Sequence, residues 1–167
     1  MPKGLKETSS LIVISASVTE DGANTFKSQS VDLQLNPLDN EIFLCYAIDL
    51  DINVPDSVDA TDTAVLGSLS TTARTTVGGI DQSNVLASAR MDIQNQTTNA
   101  VLSEFKSDST PTGMLEYIGI IATNDFFLNI QGINNGAAKG MNARVYGVRA
   151  KADASVYAAL VQSEVLS

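Results

Sequence analysis

The chain has 167 residues and a formal net charge of −9, with 44% hydrophobic and 17% charged residues. That length fits one domain with a core of its own, and the apolar content excludes a chain that is disordered throughout. The acidic balance argues against a nucleic-acid binder that works by releasing counterions, and a single cysteine, Cys45, excludes an internal disulfide.

The opening "MPKGLKETSS" is polar, and residues 1–9 read as an N-terminal arm. The apolar "LIVIS" behind it is too short for a signal-peptide core and no small-residue cleavage site follows, so synthesis and folding in the cytoplasm are expected. No run approaches the length that spans a bilayer. From here the apolar period is two rather than 3.6. "SLIVISASV" (Ser10 to Val18) is a first strand. In "SVDLQL", Val31, Leu33 and Leu35 alternate with Asp32 and Gln34, a half-buried strand that Asn36-Pro37 breaks. "EIFLCYAIDLDI" is apolar on both faces at first: Ile42, Leu44, Tyr46, Ile48 and Leu50 on one, Phe43, Cys45 and Ala47 on the other. The second face then turns to Asp49 and Asp51, so the strand leaves a sandwiched centre and runs toward solvent or a partner. Cys45 within it reads as a small buried hydrophobe rather than a reactive thiol.

"TAVLGSLSTTARTTV" is strand-like and rich in β-branched residues. "VGGIDQSN" is a turn, "VLASARMDIQ" a further strand, and "AVLSEFKSD" another, closed by "STPTG". "LEYIGIIATND" and "FFLNIQGINN" read as consecutive strands of a hairpin turning near Asn124-Asp125. "NNGAAKG" is a loop. "NARVYGVRAKA" is the last strand, with Arg144, Tyr146 and Val148 on one face and Val145, Gly147 and Arg149 on the other. In the tail, Val156, Tyr157, Leu160, Val161 and Val165 fall at helical spacing, with Asp153 placed to cap the start.

These elements make an all-β fold: an antiparallel β-sandwich of eight or nine strands, best matched by a jelly roll, with a short C-terminal helix. Residues 1–152 form one sandwich domain with its arm, and 153–167 a helical tail. There is no βαβ alternation to support a parallel sheet. An immunoglobulin-like sandwich is shorter, and its buried Trp and paired cysteines are absent.

Catalytic signatures are missing. With no histidine there is no Ser-His or Cys-His pair and no imidazole ligand. "VGGI" and "NNGAAKG" lack the context of a phosphate loop. No tryptophan and 5% aromatics weaken a platform for stacking sugars or bases. "NQT" at Asn95 matches a glycosylation sequon but has no secretory signal behind it. No catalytic, cofactor or metal residue is assigned, and no enzyme is expected.

One stretch, "AIDLDINVPDSVDATDT" from Ala47, invites a calcium reading through Asp49, Asp51 and Asn53. An EF-hand needs Gly at its sixth position and Glu at its twelfth. Those positions are Val54 and Ala60, and Pro55 further constrains the backbone. A looser β-loop site using Asp49, Asp51, Asp56 or Asp59 stays open beside a solvated acidic loop.

Charge is unevenly spread. Between Ser28 and Ala73 there are eight acids (Asp32, Asp39, Glu41, Asp49, Asp51, Asp56, Asp59 and Asp62) and no Lys or Arg. Lys139, Arg144, Arg149 and Lys151 cluster late, on alternating faces of a strand rather than as a phosphate track. Acidic and basic regions of this kind meet either between copies, as in heterologous contacts that build rings and lattices, or within one subunit. Fifty residues are Ser, Thr, Asn or Gln. Such short polar side chains lose little rotamer entropy when covered, which suits a surface packed against neighbours as well as a β-rich fold.

Taken in order, "SLIVISASV", "SVDLQL", "EIFLCYAIDL", "YIGIIATND", "FFLNIQGIN" and "NARVYGVRAKA" resemble the layout of single jelly-roll viral capsid proteins across the whole chain. The resemblance implies a major capsid protein of the virion that assembles with copies of itself, and with other capsid proteins, into a symmetric shell. Many small RNA-virus coat proteins carry a basic N-terminal arm, and this chain does not. Genome neutralisation then falls to other components, no direct nucleic-acid contact is expected, and the resemblance is closer to shells of DNA viruses or of viruses with an internal membrane. The alternative is a β-sandwich module for ligand or sugar binding or for adhesion, calcium-dependent in one version.

Overall fold

The computed structural model describes residues 3–106 and 115–167. The "STPTG" turn lies outside them. Ten strands and one helix follow in order: β1 (Leu5–Glu7), β2 (Ile12–Thr19), β3 (Lys27–Asp32), β4 (Glu41–Ile52), β5 (Thr63–Ser70), β6 (Val85–Gln96), β7 (Asn99–Lys106), β8 (Gly119–Ile121), β9 (Asp125–Ile133), β10 (Gly140–Ala152) and α1 (Ala154–Leu166). All pairings between strands are antiparallel.

The strands form two sheets. One runs β2-β10-β4-β8, with β1 pairing the far end of β10 beside β2; the other runs β3-β9-β5-β6-β7. Lettering the eight strands other than β1 and β7 from B to I in chain order gives B-I-D-G against C-H-E-F. That is the order of a jelly roll. The tenth strand arises because Leu5–Glu7 of the arm pairs with Ala150–Ala152 of the same chain.

The hairpin expected at Asn124-Asp125 is not one. β8 pairs with β4 in the first sheet and β9 with β3 and β5 in the second, so residues 122–124 cross between the sheets. Asn124 stitches this crossing to the end of β3: its Oδ1 accepts from the Leu35 amide at 2.7 Å and its Nδ2 donates to Asp32 at 2.7 Å. Leu33 and Leu35 are buried as expected, although the ladder itself ends at Asp32. β5 likewise stops at Ser70, where the Ser70 hydroxyl donates to the Thr72 carbonyl.

β4 is buried on both sides over its first half, but not by simple alternation. The register against β10 steps from Tyr146–Ala47 to Gly147–Cys45, which leaves Tyr46 as a bulge residue. The bulge flips the parity of β4 and leaves that of β10 unchanged. Phe43 and Cys45, before it, therefore share the inter-sheet core with Ile48, Leu50 and Ile52, after it. Ile42 and Leu44 point outward and meet Val148, Ala150 and Ala152 of β10 in a second cluster. The single-parity faces expected for β4 are thus corrected at Tyr46, whereas β10 keeps the expected alternation, with Val145 on the core side and Val148 in the outer cluster.

α1 covers that second cluster. Val156, Tyr157, Leu160 and Val161 pack onto it with Leu5, Tyr46 and Ile120. Val165, expected on the same stripe, is exposed. Asp153 occupies the N-cap position with extended backbone, yet its side chain makes no capping hydrogen bond. What fixes the far end instead is Glu164, which accepts from the amides of Ala122 and Thr123 at 3.0 and 2.7 Å. Burial raises the Glu164 carboxyl pKa above its ordinary value, against those hydrogen bonds. A folded-state pKa above the unfolded one means the contribution is complete below the ordinary carboxylate range and fades as pH rises through the folded value. Docking of α1, followed by Tyr157 fluorescence or amide exchange, is accordingly expected to tighten on mild acidification in the wild type and not in Glu164→Ala.

Candidate functional site

The acid-rich stretch does not assemble into one site. Asp49 and Asp51 stand exposed on the outer face of β4, on the part of the sheet that α1 leaves open. Asp56 is in the β4–β5 loop and Asp59 in a turn closed by a Val58–Thr61 bridge. Among the described residues, no three His, Cys, Asp or Glu side chains gather as metal ligands do. Asp56, the acid best placed to anchor such a loop, already has partners. Lys139 Nζ donates to its Oδ1 at 2.6 Å, and the Gly136 and Ala137 amides donate to its Oδ2 at 2.9 and 3.1 Å.

Three of the four late basic residues find acids of the acid-rich stretch within the subunit. Asp56 pairs with Lys139, Glu41 with Arg149 at 3.2 Å, and Asp39 with Lys151 at 2.8 Å. β10 runs beside β4, so residues a hundred positions apart in sequence become neighbours. Asp32 and Asp62 accept from Asn124 and from the Asn95 amide. Of the late basic cluster, Arg144 alone makes no ion pair among the described residues; it is exposed and stands beside Asp49 in the ladder.

Lys139 holds the Asp56 carboxyl below the usual carboxylate range, chiefly through the hydrogen bond, with desolvation opposing it. A depressed folded-state pKa gives stability that is complete above the unfolded value and lost as pH falls through the folded one. Thermal melts of the wild type and Asp56→Asn should therefore converge as pH is lowered through the carboxylate range, with the wild type ahead at neutral pH.

A shallow cavity of about 550 Å³ lies over the open part of the first sheet. Its floor is two cross-strand rows, Ser15–Arg144–Asp49 and Ser17–Asn142–Asp51. It is the one place where Asp49, Asp51 and Arg144 come together. Elsewhere, Cys45 is buried, and burial pushes its thiol up to about 12, so it stays protonated and inert.

Three polar residues that pattern reading passed over organise one end of the sandwich. Glu20 is 4% exposed and accepts from the Gly132 and Lys139 amides. Asn135 donates to the Ala64 carbonyl at 2.9 Å and accepts from the Asp56 amide at 2.8 Å. Asn24 exchanges hydrogen bonds with the Asn135 backbone in both directions. The only signal in sequence is Gly, Asn and Asp content in these loops, which marks turns but not their partners.

No protein-family model and no curated protein matches the chain. Among solved structures it is similar to one described as Desmodium yellow mottle tymovirus, at 10% identity over 92% of this chain and 93% of that one, with a TM-score of 0.30. A superposition that loose carries no functional weight, and the jelly-roll assignment rests on strand order alone. No helix among the described residues is long and apolar enough to cross a membrane.

Proposed function

We propose that this chain is the subunit of a symmetric protein shell, a major capsid protein of the virion, working by assembly with its own kind rather than by catalysis. The observation that carries the reading is the strand order, B-I-D-G against C-H-E-F, in a chain whose layout resembles single jelly-roll capsid proteins. Fold alone does not determine function, so the surface has to agree. It does so in two ways. Three of the eight acids of the acid-rich stretch are neutralised by bases of the same chain, and much of the remaining surface is short polar residues that are inexpensive to cover. One edge of the second sheet also exposes apolar side chains. In such a shell each contact can be weak, because closed symmetry multiplies it. Genome contact and other shell components fall to other proteins in this reading, and synthesis is in the host cytoplasm.

The test is the size of the purified chain by light scattering and electron microscopy, across protein concentration and salt. Rings or closed particles of many copies are expected. A chain that stays at 17.6 kDa throughout overturns the reading.

The cavity over Asp49, Asp51, Asn142 and Arg144 favours a second reading, a ligand- or sugar-binding module. A ligand that prefers the folded state must raise the melting temperature as its concentration rises. Titration with calcium and with simple sugars decides it: no rise with any of them removes the module, and a saturable rise abolished by Asp51→Asn supports it.

A further inference from the structure

Among the described residues, β7 lies at the edge of the second sheet and pairs only with β6, in a register running from Ala89–Lys106 to Gln96–Asn99. Seven of its eight residues are exposed. An edge strand of this length presents a row of unpaired backbone groups, and natural proteins usually blunt such an edge with charge, proline or a bulge. Here the edge carries apolar side chains beside Glu104 and Lys106: Val101, Leu102 and Phe105 are 56%, 57% and 62% exposed. Val101, Ser103 and Phe105 share the face that points away from the core, opposite Gln94, Asp92 and Arg90.

Charge identifies the occupant. Copies of a chain with net charge −9 repel one another over most of their surface. Asn99–Lys106 is neutral overall, with Glu104 paired to Lys106 at 3.5 Å, and the adjacent Arg90–Asp92 pair at 2.7 Å cancels as well. The strand is also self-complementary. A two-fold axis through Ser103 sets Val101 of each copy directly against Phe105 of the other, on one face. Aromatic against β-branched is a favourable cross-strand pair.

We infer that β7 pairs antiparallel with β7 of a second copy about a two-fold axis at Ser103, joining the two β3-β9-β5-β6-β7 sheets into one. This names one contact of the shell proposed above and rests on that reading for its setting, although the pairing itself is measurable without a shell. The contact is isologous, so it closes on itself and leaves other surfaces to extend the assembly.

The test uses the whole chain. Cys45 is buried, so a Ser103→Cys substitution introduces the one reactive thiol. Directly opposed positions in an antiparallel pair lie within disulfide reach. Mild oxidation should convert Ser103→Cys to a reducible dimer and leave Gln29→Cys, on the β3 edge, monomeric on a denaturing gel. No dimer at 103, or equal dimer at both positions, overturns the inference. A Val101→Lys/Phe105→Lys double variant should raise the concentration for association by about 100-fold. Its melting temperature should stay within about 3 °C of wild type, since both side chains are exposed. Particles that form equally well from this variant overturn the β7 contact and leave the shell intact. A cross-linkable dimer that never grows larger supports the contact and overturns the shell.

Discussion

Gly147→Ala is expected to destabilise the fold by about 3 kcal/mol or more, a fall in melting temperature of roughly 10 °C. Gly147 sits where the β4–β10 register steps. A Cβ built there lies inside contact distance of the Leu44 carbonyl oxygen and of the Phe43 ring. The oxygen is backbone on the partner strand and cannot swing away. The ring belongs to one of the largest fully buried side chains, 1% exposed. Relief requires the bulge to reopen, and with it the parity switch that places Phe43 and Cys45 in one cluster and Ile42 and Leu44 in the other. Gly22→Ala is the control: nothing lies within 4 Å of its would-be Cβ, and a change below about 0.5 kcal/mol is expected. Equal melting of the two variants would show that the close approach at Gly147 relaxes freely.

The same bulge marks where pattern reading stops. Period-two apolar alternation located nine of the ten strands and the doubly buried start of "EIFLCYAIDLDI". It could not show that Tyr46 is skipped in the ladder, because a bulge is set by what lies opposite, and β10 is a hundred residues away. The β8–β9 connection failed for a related reason. Asn124-Asp125 carries ordinary turn chemistry, and a turn within a sheet reads the same as a crossing between sheets. In the helix, spacing found the four residues that pack, but not that a buried glutamate fastens the last turn. A glutamate is read as surface unless its acceptors' partners are known, and here they are backbone amides.

Charge followed the same rule. From the sequence, the eight acids between Ser28 and Ala73 and the basic residues after Lys139 could meet between copies or within one. The antiparallel pairing of β4 with β10 settles Glu41 and Asp39 on the second choice, and loop closure does so for Asp56. Of the two alternatives, a trade between copies therefore loses three of its four late basic partners. An Asp56→Lys substitution should cost folding first, since it places a second ammonium against the nearly buried Lys139 and strips the Gly136 and Ala137 amides of their acceptor. Any contact between copies has to come from neutral and apolar surface, which is the character of β7.

Glu20→Ala is expected to cost about 4 kcal/mol, again a fall of roughly 10 °C or more in melting temperature. Glu20 follows β2 and reaches across to the end of β9 and the residue before β10, where one oxygen accepts from the Gly132 amide and the other from the Lys139 amide at 2.8 Å. Both hydrogen bonds are charge-assisted and buried, the stronger kind. Removing the carboxylate gains little packing and strands two buried donors with no room for bulk water, which is the costly side of hydrogen-bond energetics. The damage should spread through Lys139 to its pair with Asp56, and from Asp56 to Asn135 and Asn24, because these groups share backbone and partners. Glu20→Gln separates charge from shape. It keeps one acceptor oxygen but turns an NH₂ toward the second amide, so it should fall between wild type and Glu20→Ala. A double cycle with Asp56→Asn should then show coupling above about 0.5 kcal/mol. Strict additivity would mean that the two carboxylates hold this end of the sandwich independently, each through its own amides.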